Sequence, residues 1–332
     1  MAAEIAEQPA VLAGLLADTS QISEIRARIA AAAPRFVLIA ARGTSDHAAL
    51  YAKYLAEVRL QLPVGLVSPS ALTVYGAAPA MADVLFVAVS QSGRSPDLVE
   101  SLAVARERGA LTLAVTNAPD SPLHHGAELA VDVRAGAERA VAATKSYTAE
   151  LLALHLLLAG EHAARDAAPL PDAAARTLAL AGDERVTSAA ARLAGAERLV
   201  VTGRGYSYAT AREAALKLME TSYLGAQAFS GADLLHGPMA MIDRSVPVIA
   251  ITSPGLGGEA MAPVLDRLAE LEATVLRVGA EDGLPIAAGE LAEHLLPILE
   301  ILPLQRLAWR LALDRSIDPD RPRGLSKVTE TL

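Results

Sequence analysis

Acidic, basic and imidazole side chains recur at regular spacing in the second half of the chain. Glu213, Lys217 and Glu220 come after the run Gly203-Arg204-Gly205, and His236 follows them. If residues 209–221 form a helix, the spacing i, i+4, i+7 places both carboxylates and the amine on one face. A carboxylate beside an amine, with a histidine in the loop beyond, favours proton transfer on a small bound anion.

The same three charges also have an interpretation without chemistry. A glutamate and a lysine four residues apart form a common surface ion pair, worth about 0.2–0.5 kcal/mol in an isolated helix. On that alternative Glu213, Lys217 and Glu220 lie on a solvated face. The charges taken alone favour this alternative, whereas the residues around them favour the catalytic one.

A loop rich in hydroxyl groups follows the apolar run Val84–Val89. Its sequence is Ser90-Gln91-Ser92-Gly93-Arg94-Ser95-Pro96-Asp97, and a helix is predicted to begin near Leu98. Free N–H groups and the dipole at a helix N-terminus both favour phosphate. An ordinary capped turn also uses Ser and Asp, but three serines and a glutamine exceed what one cap needs. We therefore predict a phosphate site here, to which Ser45 adds a donor.

The composition excludes several functional classes. A net charge of -9 gives no basic footprint for nucleic acid. The chain has no cysteine, which excludes disulfides, a thiolate metal site and a cysteine nucleophile, and fits the reducing cytoplasm. Acidic residues near the N-terminus and an apolar run of only residues 151–160 give no membrane signal. We expect a cytoplasmic protein that binds neither nucleic acid nor membrane.

The glycine-rich run at residues 203–208 does not fit a nucleotide-binding motif. It lacks the third glycine of a dinucleotide fingerprint, and no Lys-Ser or Lys-Thr pair follows any glycine-rich loop. The histidines form no HExxH motif, and the pair His124-His125 is isolated. We therefore expect no metal and no cofactor.

Two halves of the chain repeat one pattern. Strand-like runs end in Arg42-Gly43-Thr44-Ser45 and in Arg204-Gly205-Tyr206-Ser207, at an offset of 162 residues. The offset continues without a gap to the pairs Gly93/Gly255, Thr112/Thr274 and Asp120/Asp282, which indicates a duplicated unit. Pro254 stands where the first copy has Ser92, so the second loop is expected to be structural.

The alternation of strands and helices predicts the fold class. Apolar runs at 36–41, 84–89, 111–115, 199–202, 246–251 and 274–278 alternate with helical patterns, which is typical of α/β proteins with a parallel sheet wound by helices on both faces. The predicted organisation is an N-terminal helical segment at 1–25, a first domain at 26–162, a linker or helix at 163–180, a second domain at 181–317 and a tail at 318–332. Ligands of such folds bind at the carboxyl ends of the strands. The proline and charge content of residues 318–332 predicts a frayed tail.

Several of these motifs together resemble the sugar isomerase (SIS) family. They are Ser90-Gln91-Ser92-Gly93, Gly203-Arg204-Gly205, residues 215–220, His236-Gly237-Pro238 and Pro322-Arg323-Gly324-Leu325-Ser326-Lys327. The chain is most similar to the isomerase half of glutamine:fructose-6-phosphate amidotransferase, over nearly its whole length. The likeness begins at residues 4–9, where the glutaminase half would end, so we expect no glutamine hydrolysis.

This resemblance implies two tandem flavodoxin-like SIS domains and a role for each candidate residue. Ser45, Ser90, Gln91, Ser92 and Ser95 would bind the substrate phosphate, with Thr44 nearby. Glu220 would move a proton between C1 and C2 of the sugar, His236 would assist ring opening from the other subunit of a homodimer, and Lys327 would form a Schiff base at C2. Val141, Ala143, Glu213 and Lys217 would bind the substrate or support these groups. In contrast to the frayed tail predicted above, the tail would then close over the substrate.

Two departures from the family pattern bear on the substrate. Ala143, after Val141, replaces the serine of the GVASTK segment, and Arg94 replaces the acid after SQSG. The first hypothesis is a deaminase that converts glucosamine 6-phosphate and water into fructose 6-phosphate and ammonia. One alternative is a deglycase of fructosamine 6-phosphates, and another is a non-catalytic phosphosugar-binding regulator. A regulator would not need Glu220, His236 and Lys327 together.

Overall fold

The computed structural model describes residues 1–327, which form two compact units. The N-terminal unit comprises residues 10–138, 145–168 and 325–327, and the C-terminal unit comprises residues 1–9, 139–144 and 169–324. Each unit is therefore assembled from separated stretches of the chain. Residues 328–332 of the predicted tail lie outside the described residues.

A five-stranded parallel sheet forms the centre of the N-terminal unit. Its strand order is β2-β1-β3-β4-β5, which is the flavodoxin-like order. The strands are β1 (Phe36–Ala40), β2 (Val64–Leu66), β3 (Val84–Ser90), β4 (Leu111–Thr116) and β5 (Leu129–Asp132). All seven residues of the central β3 are buried, as expected for a strand covered on both faces.

The helix α1 (Ala2–Ala17) is divided between the two units after residue 9. The other helices of the N-terminal unit form two groups. They are α2 (Ser20–Ala32), α3 (Thr44–Leu55), α4 (Pro69–Thr73), α5 (Pro96–Glu107), α6 (Pro122–Gly126), α7 (Lys145–Leu158) and α8 (Ala163–Ala167). One group packs α2 and α3 against α7, and the other packs α4 and α6 against α5. In the second group, Leu98 and Leu102 pack with Phe86 of β3 in one apolar cluster. The sheet thus has helices on both faces.

The C-terminal unit repeats this plan with four parallel strands. They are β6 (Arg198–Gly203), β7 (Gly225–Ser230), β8 (Val248–Ile251) and β9 (Val275–Val278), in the order β7-β6-β8-β9. The helices are α9 (Leu170–Leu180), α10 (Asp183–Arg192), α11 (Ser207–Ser222), α12 (Gly231–Leu235), α13 (Leu256–Glu259), α14 (Ala262–Glu270) and α15 (Leu296–Asp314). Both units combine a parallel sheet with helices, which confirms the predicted α/β fold class.

The offset of 162 residues relates the elements of the two units until the fifth strand. It carries α4 (Pro69–Thr73) onto α12 (Gly231–Leu235) without a shift, and β1, β3 and β4 onto β6, β8 and β9 within two residues at each end. After β9 the register breaks, because a single bridge between Val278 and Leu284 stands where the first copy has β5. The helix α15 accordingly begins at Leu296, although the start of α7 at Lys145 would map to position 307.

Candidate active site

The predicted phosphate loop joins the end of β3 to the start of α5. Gly93 has φ +60°, and a Cβ atom there would lie 2.1 Å from the Oγ of Ser121, so only glycine fits this turn. The hydroxyl of Ser90 accepts a hydrogen bond from the Gly93 amide (3.1 Å), and that of Ser92 accepts one from the Arg94 amide (3.3 Å). The predicted loop residues therefore form one small turn that opens at the N-terminus of a 12-residue helix.

A buried acid lies within the same turn. Asp97 is the second residue of α5 and is 1% exposed. The Nε of Arg42 lies 2.7 Å from its Oδ2. This pairing offsets the negative charge that would otherwise oppose a phosphate at the helix N-terminus. Arg42, which the sequence analysis noted only as part of the repeated RGxS motif, is therefore electrostatically part of this loop.

Thr44 and Ser45 are the first two residues of α3, directly after Gly43, which has φ +56°. Thr44 is half-buried. The hydroxyl of Ser45 donates to Oε1 of the buried Glu150 at 2.9 Å. Because the hydroxyl already donates to a carboxylate of the protein, the donor of Ser45 that remains for an anion at the start of α3 is its backbone N–H.

Glu213, Lys217 and Glu220 lie together on α11, as their spacing predicts. Glu213 and Lys217 have side chains 0% and 1% exposed, whereas Glu220 is 21% exposed. The Nζ of Lys217 is 3.4 Å from Glu213 and also donates to Glu220. The solvated-face alternative is therefore wrong: the amine is buried between two carboxylates, and one carboxylate reaches the surface.

His236 ends the short helix α12, and its side chain is exposed. The following Gly237 has φ +137°, which begins the turn at Pro238. Among residues 1–327, the imidazole of His236 makes no hydrogen bond to the C-terminal unit. The ring is thus presented to solvent at a turn of fixed backbone shape.

The tail is anchored rather than frayed over its described part. In the C-terminal unit, the Arg323 amide donates to the Tyr223 hydroxyl at 2.7 Å, and its guanidinium lies 4.3 Å from the Tyr223 ring centroid. The Val141 amide donates to the Asp320 carbonyl at 3.3 Å, and Val141 and Ala143 are half-buried. In the N-terminal unit, Lys327 Nζ lies 2.9 Å from Glu138 Oε2. The prediction of a frayed end is wrong because these contacts hold the segment.

The loop of the second copy already holds a carboxylate. Glu293 accepts hydrogen bonds from the amides of Leu256 (3.0 Å) and Gly257 (2.8 Å), beside Gly255 with φ +128°. Gly255 corresponds to Gly93 under the repeat offset. The carboxylate of Glu293 therefore binds the amides that would otherwise face a bound anion. The role of Glu293 was not predictable from the repeat, because this residue lies beyond the point where the register breaks.

The structure thus places the candidate residues in two groups. The N-terminal unit holds the hydroxyl-rich loop, the start of α3 and Lys327, and the C-terminal unit holds the α11 charges, His236, Val141 and Ala143. Between residues 1 and 327, no cluster of three or more His, Asp or Glu side chains is arranged to hold a metal ion. Over the same residues, no helix has both the length and the apolar character needed to cross a membrane.

The SIS domain family model matches residues 32–160 and 192–292, so the chain belongs to the SIS family of phosphosugar isomerases. The chain is 36% identical to the glutamine–fructose-6-phosphate aminotransferase (isomerizing) of Symbiobacterium thermophilum and 32% identical to that of Methanothermobacter thermautotrophicus. Each alignment covers 98% of this chain and 58% or 56% of the relative, so the chain spans a little more than half of their length.

Solved structures have the same fold. A protein of Silicibacter pomeroyi, provisionally described as a phosphosugar isomerase, superposes with a TM-score of 0.86 at 33% identity, covering 96% of this chain and 98% of its own. The C-terminal domain of glucosamine-fructose-6-phosphate aminotransferase from Francisella tularensis also gives 0.86, at 24% identity and 96% coverage of both chains. The chain is therefore homologous to the isomerase half of these aminotransferases.

Proposed function

We propose that this protein is an aminosugar-phosphate deaminase that converts glucosamine 6-phosphate and water into fructose 6-phosphate and ammonia. The observation that carries the proposal is the carboxylate of Glu220, held in place by the buried amine of Lys217 and itself open to solvent. A carboxylate of fixed position that remains accessible can move a proton on a bound substrate. Relatives at 32–36% identity are named for fructose 6-phosphate, which supports the same ketose phosphate as product.

Each group has one task in the proposed reaction. The loop from Ser90 to Ser95 holds the phosphate, with hydroxyl groups and amides at the start of α5 as donors. The partner subunit's His236, in a cytoplasmic homodimer, assists opening of the sugar ring. After ring opening, the bound substrate is an open-chain aldehyde with an amino group at C2.

The proton transfer and the loss of ammonia then follow. Glu220 removes the proton from C2 and returns it to C1, while a proton passes from the C2 amino group to the C1 oxygen, so that C1 becomes an alcohol and C2 an imine. The neutral amine of Lys327 adds to C2, and the substrate nitrogen leaves as ammonia. Water then cleaves the lysine imine to give fructose 6-phosphate and free Lys327. At low ammonia, mass action favours this direction.

Ammonia release from glucosamine 6-phosphate tests the proposal, with fructose 6-phosphate measured by a coupled enzyme. Replacing Glu220→Gln keeps the side-chain size but removes the base, so kcat is expected to fall by about a hundredfold or more. The matched control is Glu270→Gln, an exposed glutamate of the same unit that pairs with Arg267 at the surface. Full turnover by Glu220→Gln would refute the proposed role of this carboxylate.

The same assay separates the alternatives. A deglycase would release an amino acid from a fructosamine 6-phosphate faster than it releases ammonia from glucosamine 6-phosphate. A regulator would bind the sugar phosphate and turn over neither compound. Either result would replace the deaminase proposal while leaving the phosphate loop in its assigned role.

A further inference from the structure

Glu138 is a buried acid that the proposed reaction has not used. Its side chain is 0% exposed. Ser146, the second residue of the 14-residue α7, donates its hydroxyl to Glu138 Oε2 at 2.7 Å and its amide to Oε1 at 3.1 Å. Two donors at the start of a long helix hold this carboxylate in one orientation.

The amine of Lys327 is attached to this carboxylate. Its Nζ lies 2.9 Å from Glu138 Oε2, and the lysine side chain is 25% exposed. The lysine therefore has one buried anionic partner and one solvent-facing side. The preceding tail residues form neither helix nor strand, and this ion pair attaches the amine to the N-terminal unit.

We infer that Glu138 is the positioning residue for Lys327 and the acceptor of its proton, an inference that rests on the proposed function. An ammonium group has no lone pair, so Lys327 must lose a proton before it can attack C2. Transfer of that proton to Glu138 Oε2 gives a neutral amine and a carboxylic acid. The amine forms the bond to C2, and the acid returns the proton to the nitrogen that leaves C2 as ammonia.

A second lysine lies at the start of α7. Lys145, the first residue of this helix, is 4% exposed, and its Nζ is 3.9 Å from the Cβ position of Gly136, two residues before Glu138. The start of α7 and the loop before it thus contribute a buried lysine, a serine and the carboxylate that binds Lys327.

Reductive trapping tests the inference directly. Fructose 6-phosphate with sodium borohydride is expected to attach irreversibly to Lys327 of the wild type, as located by peptide mass spectrometry. In Glu138→Gln the trapping rate should fall on the order of a hundredfold because the amine is no longer held in place and has no adjacent carboxylate to take its proton. The pH midpoint of trapping should move down, because removing an anion favours the neutral amine. A purely structural role would slow trapping without moving the midpoint.

A second variant keeps the test decisive if Glu138→Gln folds poorly. Glu138→Asp retains the charge but withdraws it from Nζ, so trapping should slow while the midpoint stays that of the wild type. The control is Glu107→Gln, an exposed acid of the same unit. If both Glu138 variants are trapped at the wild-type rate and with the wild-type pH midpoint, the inference about Glu138 is wrong, while the proposed function is unaffected. A wild type that releases ammonia but never labels Lys327 would overturn the lysine chemistry and this inference, and leave the deaminase.

Discussion

Glu300 has a carboxyl group that no solvent reaches. The hydroxyls of Ser207 and Thr210 each donate to it at 2.8 Å. Burial nevertheless raises the pKa of Glu300 above its ordinary value of 4.5, because the desolvation of the anion outweighs these donors. A carboxyl group in this position stabilises the fold best when it is protonated.

The direction of the pH dependence follows from this shift. The folded-state pKa lies above the unfolded one, so the contribution of Glu300 is complete below the unfolded pKa and is lost as the pH rises through the folded pKa. In Glu300→Gln, the free energy of unfolding should fall less between about pH 5 and about pH 8 than in the wild type. Urea unfolding followed by circular dichroism measures this slope, with the exposed Glu290→Gln as control. Equal slopes in Glu300→Gln and the wild type would contradict the prediction.

The N-terminal unit contains a similar contact between a hydroxyl and a buried acid. Ser45 and Ser207 are related by the offset of 162 residues, and each donates to a buried glutamate, Glu150 or Glu300. The glutamates themselves are not related by that offset, because Glu150 would map to Ala312. Sequence comparison could find the serines but not their partners, since the register breaks between them.

At the scale of the element, α11 shows what a spacing rule can and cannot predict. The helix and the common face of Glu213, Lys217 and Glu220 were both predictable from the spacing. The burial of that face was not, because it depends on α15, β6 and β7, which pack against the helix. Burial depends on neighbours that are distant in sequence, which periodicity does not contain.

The strands show the same limit. The six apolar runs predicted as strands are β1, β3, β4, β6, β8 and β9. The three that were missed, β2, β5 and β7, are edge strands of three, four and six residues. These three strands are too short or too polar to give the continuous apolar run that identifies a strand, whereas β9, which is also an edge strand, lies within such a run at 274–278.

The burial of α11 leads to a prediction for Lys217. Removing its charge in Lys217→Met leaves Glu213 buried without its cation, which is expected to cost about 3–5 kcal/mol of unfolding free energy. A double variant, Glu213→Gln with Lys217→Met, removes the isolated charge and should recover most of that loss. Urea unfolding of the two single variants and the double variant gives the coupling energy. If the losses in the single variants simply add, these two residues do not act as a buried pair.

At the scale of the whole molecule, the duplicated fold contains two corresponding loops that differ in the groups at their helix N-termini. The first has several hydroxyl groups at the N-terminus of α5, and Arg42 pairs with Asp97 there. The second has Pro254 in place of Ser92, and its amides bond to Glu293. The molecule should therefore bind one sugar phosphate per chain, although it contains two copies of the fold.

Two glycines related by the repeat offset provide a matched test. Gly93→Ala would place a Cβ 2.1 Å from Ser121 Oγ at φ +60°, and Gly255→Ala would place one 2.5 Å from Glu293 Cδ at φ +128°. Both substitutions strain the backbone and should lower Tm, but only the first distorts the loop that we propose binds the substrate phosphate. Calorimetric titration with glucosamine 6-phosphate should give one site per chain, weakened by about tenfold or more in Gly93→Ala and unchanged in Gly255→Ala. Loss of binding in Gly255→Ala, or two sites in the wild type, would mean that the second loop still binds an anion despite Glu293.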